Sequence, residues 1–585
     1  MTHRSLTRQL TPIGLTACLL VTTACNSGPS SPESASPEAT AETVSASATD
    51  SRTLRLLYWQ APTILNPHLS TGIKDAEASR ITLEPLASFD KDNNLVLFLA
   101  AEEPTLENGG LSADGRTVTW KLKEDVTWSD GTPFTAADVV FTYNFLTNPE
   151  VGATSASDYE TIESVEALDD HTVQITFEEP NPAWFLVFVG PPGMIMPQHV
   201  FQDYNGANVR EAPANLMPVG TGPYRVVEFK PGDVIVYERN PNYREAEAIA
   251  FDRIELKGGG DATSAARAVL QTGDADFAYN LQVEAQVLNQ LKGAGEVLSL
   301  YGALMERLLL NQTDPNQTTA DGAKSTLQFA HPFLTDPQVR RAINLAIDRE
   351  TIATQLYGPT GKPTANVVVA PQQVVSPNTD YEFDLDAAAQ ILDEAGWVDS
   401  NGNGIRDQNG VEMELVFQTS VNPVRQKTQE IVKQNLEAIG MAVELKSIDA
   451  SIFFSGDPAN ADTTEKFQAD LQMYTTGNNS PDPTAYLQTF TCAEIPKPEN
   501  NWLGYNAARY CNPEYDSLWQ QATVELDPAR REELFVQMND LLVEDAAVLP
   551  LVHRAEVVGV SDRLSGVELT PWDQYTWNIA DWRKD

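Results

Sequence analysis

Six histidines, His3, His68, His171, His199, His331 and His553, stand singly along the chain, and none has a second histidine four residues away to share a metal on one helix face. No GxSxG turn is present to expose an activated serine. Gly358 to Pro363 reads GPTGKP, a partial copy of a phosphate loop. It lacks the first glycine at the required spacing, and Pro363 stands where Ser or Thr would hold a metal. With no activated nucleophile and no acid and base pair, neither an enzyme nor a cofactor is expected. The segment DSNGNGIRDQNG sets oxygen side chains at Asp399, Asn401, Asn403 and Asp407 around a turn at Gly404, which echoes a calcium loop. Gly410 replaces the bidentate Glu at its twelfth position, so the segment reads as a polar hairpin or a weak structural calcium site. Cys492 and Cys511 are the only cysteines outside the N-terminal region. In an oxidising compartment they would close a loop of about 20 residues and contribute roughly 3 kcal/mol on the chain-entropy model. A metal site is the rival, but no histidine lies near them.

The elements that would carry these residues belong to a large, acidic, exported chain. At 585 residues it exceeds one hydrophobic core, so two or three domains are expected, and 42% hydrophobic residues is ordinary for a folded protein. Lys and Arg total 39 against 82 Asp and Glu, a formal charge of −43, which repels nucleic acid and anionic lipid. A monomer with no nucleic-acid partner is expected. Arg4 and Arg8 precede an apolar run from Ile13 to Val21, too short for a membrane span of about 20 residues and typical of a secretion signal. Thr22, Thr23 and Ala24 then lead to Cys25 and resemble a lipobox, which implies cleavage after residue 24 and a diacylglycerol on Cys25. Cys18 follows a better box, but cutting there would leave almost no apolar core in the signal. Residues 26–50 are mostly Ser, Pro, Ala, Thr and Glu with no aromatic and no basic side chain, so 25–51 reads as a lipidated, disordered tether to the membrane.

Beyond the tether, LRLLYWQAP is the expected first strand, ending at Tyr58 and Trp59. TVTWKL, SVEALDDHTVQITFEEP and YRVVEFKPGDVIVYERN alternate as strands, with hairpin turns at Asp169-Asp170 and Pro231-Gly232-Asp233. DPQVRRAINLAIDRETIATQLY is helical in pattern, with Val339, Ile343, Ala346, Ile347 and Leu356 near one face. RQKTQEIVKQNLEAIGMAVELKSI runs helix, glycine stop, strand, which suggests a mixed α/β sheet with covering helices. In WSDGTPFTAADVVFTYNF, Ser129, Asp130 and Gly131 form a turn. Thr135 N-caps a helix with Asp138 three residues on, and that helix carries Val139, Val140, Phe141 and Phe145 on its apolar side.

That stretch resembles the signature of the family 5 extracellular solute-binding proteins, the oligopeptide, dipeptide and nickel receptors of ABC importers. LNPHLSTGIKDAEASRITLEPLASFD, GTGPYRVVEFKPGDVIVYERNPNY, VRRAINLAIDRE with AQILDEAGW, and DPTAYLQTF, NPEYDSLWQQA and LLVEDAAVLPL extend the resemblance in order over nearly the whole mature chain. It implies a two-lobed type II binding-protein fold, with a subdomain inserted in lobe one and crossings near Leu300 and Val543. The implied boundaries are 52–97, 218–300 and 544–585 for lobe one, 98–217 for the insertion and 301–543 for lobe two.

The same resemblance implies an extracytoplasmic receptor that takes a peptide or other small solute in its cleft and works with an ABC permease and ATPase. A ligand sensor or peptide-holding chaperone on this fold is the alternative, and a secreted hydrolase would need a motif that is missing. Tyr58, Trp59 and the run Tyr474 to Tyr486 match positions where family members line the cleft. Dipeptide and oligopeptide receptors commonly place an aspartate shortly before a DP-like pair to hold the ligand's α-ammonium. By spacing that position is Asn479 here, beside Asn478 and ahead of Asp482 and Pro483. An amide lacks the charge that strengthens such a contact. Either Asp482 serves instead, or the ligand is not an ordinary free-amine peptide.

Overall fold

Two long strands, Gly295–Leu310 and Val548–Ser561, pair antiparallel and form the spine of the molecule. The computed structural model describes residues 52–478 and 480–584. The expected signal at 1–24, the expected tether at 25–51 with Cys25, and Asn479 lie outside the described residues. Val548–Ser561 is buried at every position except His553, as a central strand covered on both faces must be. At one end it pairs with Phe277–Ala278, and the sheet continues through Thr53–Tyr58 and Arg253–Gly258, both parallel, to the antiparallel hairpin of Val234–Arg239 and Tyr224–Lys230. At the other end Gly295–Leu310 pairs with Leu471–Thr476, which leads through parallel Glu414–Ser420 to Ala442–Ile448.

One sheet therefore runs through both lobes of a type II binding-protein fold. Its register breaks between Tyr301 and Met305. Gly302 sits in this break, and a Cβ there would lie 2.7 Å from Pro571 Cβ. Leu300 lies within the strand Gly295–Leu310, and Val543 lies in the helix Pro528–Glu544, ahead of the strand from Val548.

The cores sort by segment. One cluster joins Leu54, Leu56, Tyr237, Leu256 and Val558, and another joins Trp120, Trp128, Phe134 and Phe145 between residues of the insertion. That insertion has its own antiparallel sheet, in the order Ala100–Glu102, Thr117–Leu122, Thr172–Phe177, Ile162–Asp169. The helix Ala136–Leu146 covers it and starts at the expected cap, Thr135, where Asp138 completes a capping box, Thr135 N–H donating to Asp138 Oδ2 at 3.0 Å. Beyond the crossing, period-two alternation sends Leu308 and Leu310 to one core and Met305 and Leu309 to another.

The helical pattern 336–357 is split. Pro337–Leu345 ends, Asp348 accepts from Thr351 N at 2.9 Å, and a second helical segment starts at Arg349. All five residues expected on one face are nevertheless buried. Cys492 and Cys511 lie with their sulfurs 2.04 Å apart, joining a turn to the start of the helix Pro513–Val524.

Candidate functional site

A cavity of about 600 Å³ lies between the lobes. Its walls come from the start of the helix Ile73–Arg80, from Tyr279 and Asn280 past a sheet strand, from Thr154 to Thr161 of the insertion, and from Arg307, Arg425 and Tyr474 to Asn478. A second cavity of about 330 Å³ shares Thr71, Thr154, Glu160 and Tyr505 with it and extends the cleft toward Asp457 and Trp502. The lobes touch along this rim. Tyr505 Oη donates to Thr154 O at 2.5 Å, Thr71 Oγ1 to Phe454 O at 3.0 Å, and Arg210 Nη2 to Gly456 O at 2.9 Å.

The cleft's charges are arranged by sign. Arg425 reaches in from the start of the helix Pro423–Ala438 and is matched by Glu306 of the spine at 2.8 Å, with Ser420 and Thr475 as further acceptors. Arg554, on the returning strand, donates to Asn280 Oδ1, and Lys74 Nζ lies 2.5 Å from Asp75 Oδ2. Toward the second cavity the walls are acidic. Asp158 and Glu160 from the insertion meet Glu465 and Glu494. Burial, then the neighbouring Glu160, pushes Asp158 up to about 7, and the same causes, with Asp158, push Glu494 up to about 7.

A pH dependence follows. The pKa values in the folded chain lie above the ordinary carboxyl values, so the folded form holds more protons between pH about 4 and 7. Its stability contribution is full below that window and lost as pH rises through about 7. Asp158→Asn is therefore expected to gain stability relative to the native chain as pH increases, by on the order of 1–2 kcal/mol, read from thermal unfolding at pH 5 and pH 8.

The family description "Bacterial extracellular solute-binding proteins, family 5 Middle" matches residues 98–496. The chain belongs to that family. It is 27% identical over 537 residues to the oligopeptide-binding protein AppA of Bacillus subtilis, covering 89% of each chain. It is 24% identical over 523 residues to the glutathione-binding protein GsiB of Escherichia coli K12, covering 89% of this chain and 92% of that one. Its fold superposes with a TM-score of 0.76, at 23% identity, on NikZ from Campylobacter jejuni in complex with Ni(L-His), covering 91% of this chain and 100% of that one.

In this family 5 protein the residues singled out from sequence fall in different places. Tyr58 is not on the cavity wall. It is fully buried, stacked at 4.5 Å on Tyr279, the ring that does line the cavity, and its Oη donates to Glu77 Oε2. The alternation of Thr53–Tyr58 puts it with Leu54 and Leu56 on the core face. Trp59 is also buried and fixes the loop behind the wall, its Nε1 donating to Asn280 O at 2.8 Å. Tyr474 and Asn478 line the cavity.

Asp482 lines it too, and both of its carboxylate oxygens are already engaged. Oδ1 accepts from Thr484 N at 2.9 Å, Thr484 Oγ1 at 2.6 Å and Arg531 Nη2 at 3.1 Å, while Oδ2 accepts from Arg531 Nη1. It is a buried ion-pair residue just ahead of the helix Thr484–Gln488. In the calcium-like loop, Asp399 accepts from the N–H groups of Gly402, Asn403 and Gly404, and Asp407 from Ser400. Asn401 and Asn403 turn their amides to Glu412. These contacts close a polar hairpin at Asp407–Gln408 and Val411–Glu412.

Sequence reasoning missed Arg307, Arg425, Arg554 and Tyr279. A signal was available for two of them: Glu306-Arg307 interrupts the apolar run LYGALMERLLL ending at Leu310, and Arg554 interrupts Val548–Ser561. A charge inside an apolar strand marks a buried pair or a ligand contact.

Proposed function

We propose that this family 5 protein is the extracytoplasmic binding component of an ABC importer and captures a peptide or similarly extended solute by closing its lobes. The carrying observation is a cleft walled from both lobes, with rim hydrogen bonds across it and a paired-strand spine beneath. AppA and GsiB, by their names, bind oligopeptide and glutathione, both peptidic, and the cleft's mix of aromatic and polar walls suits such ligands. Ligand contacts with both lobes favour the closed form, which is how binding becomes a signal to the permease. Lobe one comprises 52–97, 218–300 and 544–585, the insertion 98–217 and lobe two 301–543 in this reading. A diacylglycerol on Cys25, with 26–51 as a tether, holds the protein at the membrane, where one chain works as a monomer. The Cys492–Cys511 disulfide braces lobe two.

Native mass spectrometry of protein purified without denaturation tests the reading. A retained peptide, displaced by synthetic peptide, is expected. Retention of none, with no thermal shift across a peptide library, would refute a peptide ligand. Closure itself is tested at the rim. Tyr505→Phe removes the bond to Thr154 O and is expected to weaken ligand binding about 5- to 10-fold with little loss of stability, measured by titration calorimetry.

A further inference from the structure

We propose that the Cys492–Cys511 disulfide is a redox-sensitive clasp on the cleft, opened by a dithiol, and that the reduced receptor holds its solute less tightly. The proposal rests on the receptor reading above and adds a control to that same cleft. Toward the second cavity much of the lobe-two wall is the loop between these cysteines, with Glu494, Asn501, Trp502 and Tyr505 on its surface. The same loop meets the insertion. Tyr505 Oη donates to Thr154 O at 2.5 Å, Ser157 Oγ donates to Glu494, and Leu503 Cδ1 lies 3.8 Å from the Cβ position of Gly152. Cys511 is exposed and Cys492 half-buried, so the bond is within reach of an external thiol, and exposed disulfides are the labile ones.

Regular structure does little to hold the loop in this shape. Residues 492–511 contain only two short helical turns, Cys492–Glu494 and Pro498–Asn500. Asn501, Trp502 and Arg509 take φ of 55°, 62° and 56°, left-handed backbone that a residue with a Cβ adopts only when its surroundings force it. Glu494 also faces Asp158 and Glu160 of the insertion, and crowded carboxyls push the two walls apart. Against these costs the ends of the loop are tied by the disulfide and by Asn506. That buried amide donates to Thr491 O at 2.8 Å and Tyr510 O at 2.7 Å, each next to a cysteine. Phe490, Ala507, Ala508 and Tyr510 pack into one core beneath. With the disulfide cut, this base keeps the fold and leaves the cysteines close enough to rejoin. The tip at Leu503 and Tyr505 loses the covalent restraint on its strained turns, and the rim contact with the insertion weakens.

The chemistry is thiol–disulfide exchange. A thiolate of the dithiol attacks Cys511 Sγ, the S–S bond breaks, and Cys492 Sγ leaves with the electron pair and takes a proton. The dithiol's second thiolate then displaces Cys511 Sγ, which is protonated in turn. The dithiol ends oxidised to a disulfide, and two thiols stand on the protein.

The test titrates pentaalanine by calorimetry onto the native chain before dithiothreitol, after it, and again after reoxidation in air. Alkylation and peptide mass mapping report the thiols at Cys492 and Cys511 in each sample. Reduction is expected to weaken binding about 5- to 10-fold, as loss of the Tyr505 contact does, and reoxidation to restore it. The double variant Cys492→Ser, Cys511→Ser is expected to bind as the reduced chain does and to ignore dithiothreitol. Circular dichroism checks that each form is folded, and if the variant fails to fold the native chain still decides. Amide hydrogen exchange is expected to quicken at 152–160 and 493–505 on reduction, while the strand Val548–Ser561 keeps its protection. Both thiols free in air, equal affinity before and after reduction, or protection lost throughout the fold would each overturn the proposal and leave the receptor reading intact. Should pentaalanine bind neither form, the peptide reading falls and exchange decides. Quickening confined to the rim supports the clasp, and unchanged exchange refutes it.

Discussion

Arg531→Met is expected to lower the unfolding free energy by about 3–5 kcal/mol, because it strips the partner from a buried carboxylate and leaves the charge in place. Arg531 is 8% and Asp482 7% exposed. The guanidinium also donates to Ala522 O and Thr484 Oγ1 and lies over Phe535, so one side chain ties the loop at Asp482 to the helix Pro528–Glu544. Adding Asp482→Asn to Arg531→Met removes the orphaned charge while keeping an acceptor for Thr484 N–H. Urea denaturation should show the double variant recovering at least half of the loss. If Asp482 held a ligand ammonium instead, Asp482→Asn alone would cut affinity and spare stability.

Trp128→Ala carries a similar expected cost, about 3–5 kcal/mol, but in the inserted subdomain. Trp128 is fully buried against Phe134, and its Nε1 donates to Asp138 Oδ2 at 3.2 Å. Asp138 in turn accepts from Thr135 N and Gln198 N, so it ties the turn, the helix start and the segment after Met196 together. The void would therefore loosen three pieces of chain at once. Limited proteolysis should cut first within 98–217, and ligand affinity should fall as well, since Thr154 to Thr161 line the cleft. Trp128→Phe should cost less, about 1 kcal/mol, mainly the lost bond to Asp138.

The difference between these two sites shows what a sequence discloses. The Trp128 to Phe145 stretch was legible because its parts are local: a turn, a cap three residues from its partner and an apolar face at helical spacing. The same holds for Thr117–Leu122 and for the hairpin turns at Asp169-Asp170 and Pro231-Gly232-Asp233. The Asp482–Arg531 pair joins residues 49 apart, and no periodicity links them. Asp482 therefore looked free in the sequence and is bound in the fold. Tyr58 failed for a different reason. Its strand does alternate, and the shared face of Leu54, Leu56 and Tyr58 already pointed to the core, but resemblance to cleft-lining positions outweighed that pattern. Arg425 depends on how the spine strand sits against the helix Pro423–Ala438, and Arg307 on how the same strand sits against Tyr474 and Phe490, which only the assembled sheet shows.

Small-angle scattering tests solute capture by lobe closure most directly. Protein freed of its retained solute by unfolding and refolding is measured before and after that solute is returned. Closure predicts a radius of gyration that falls with ligand and saturates at the stoichiometry of one site. Superimposable profiles at saturating, calorimetrically verified ligand would contradict it.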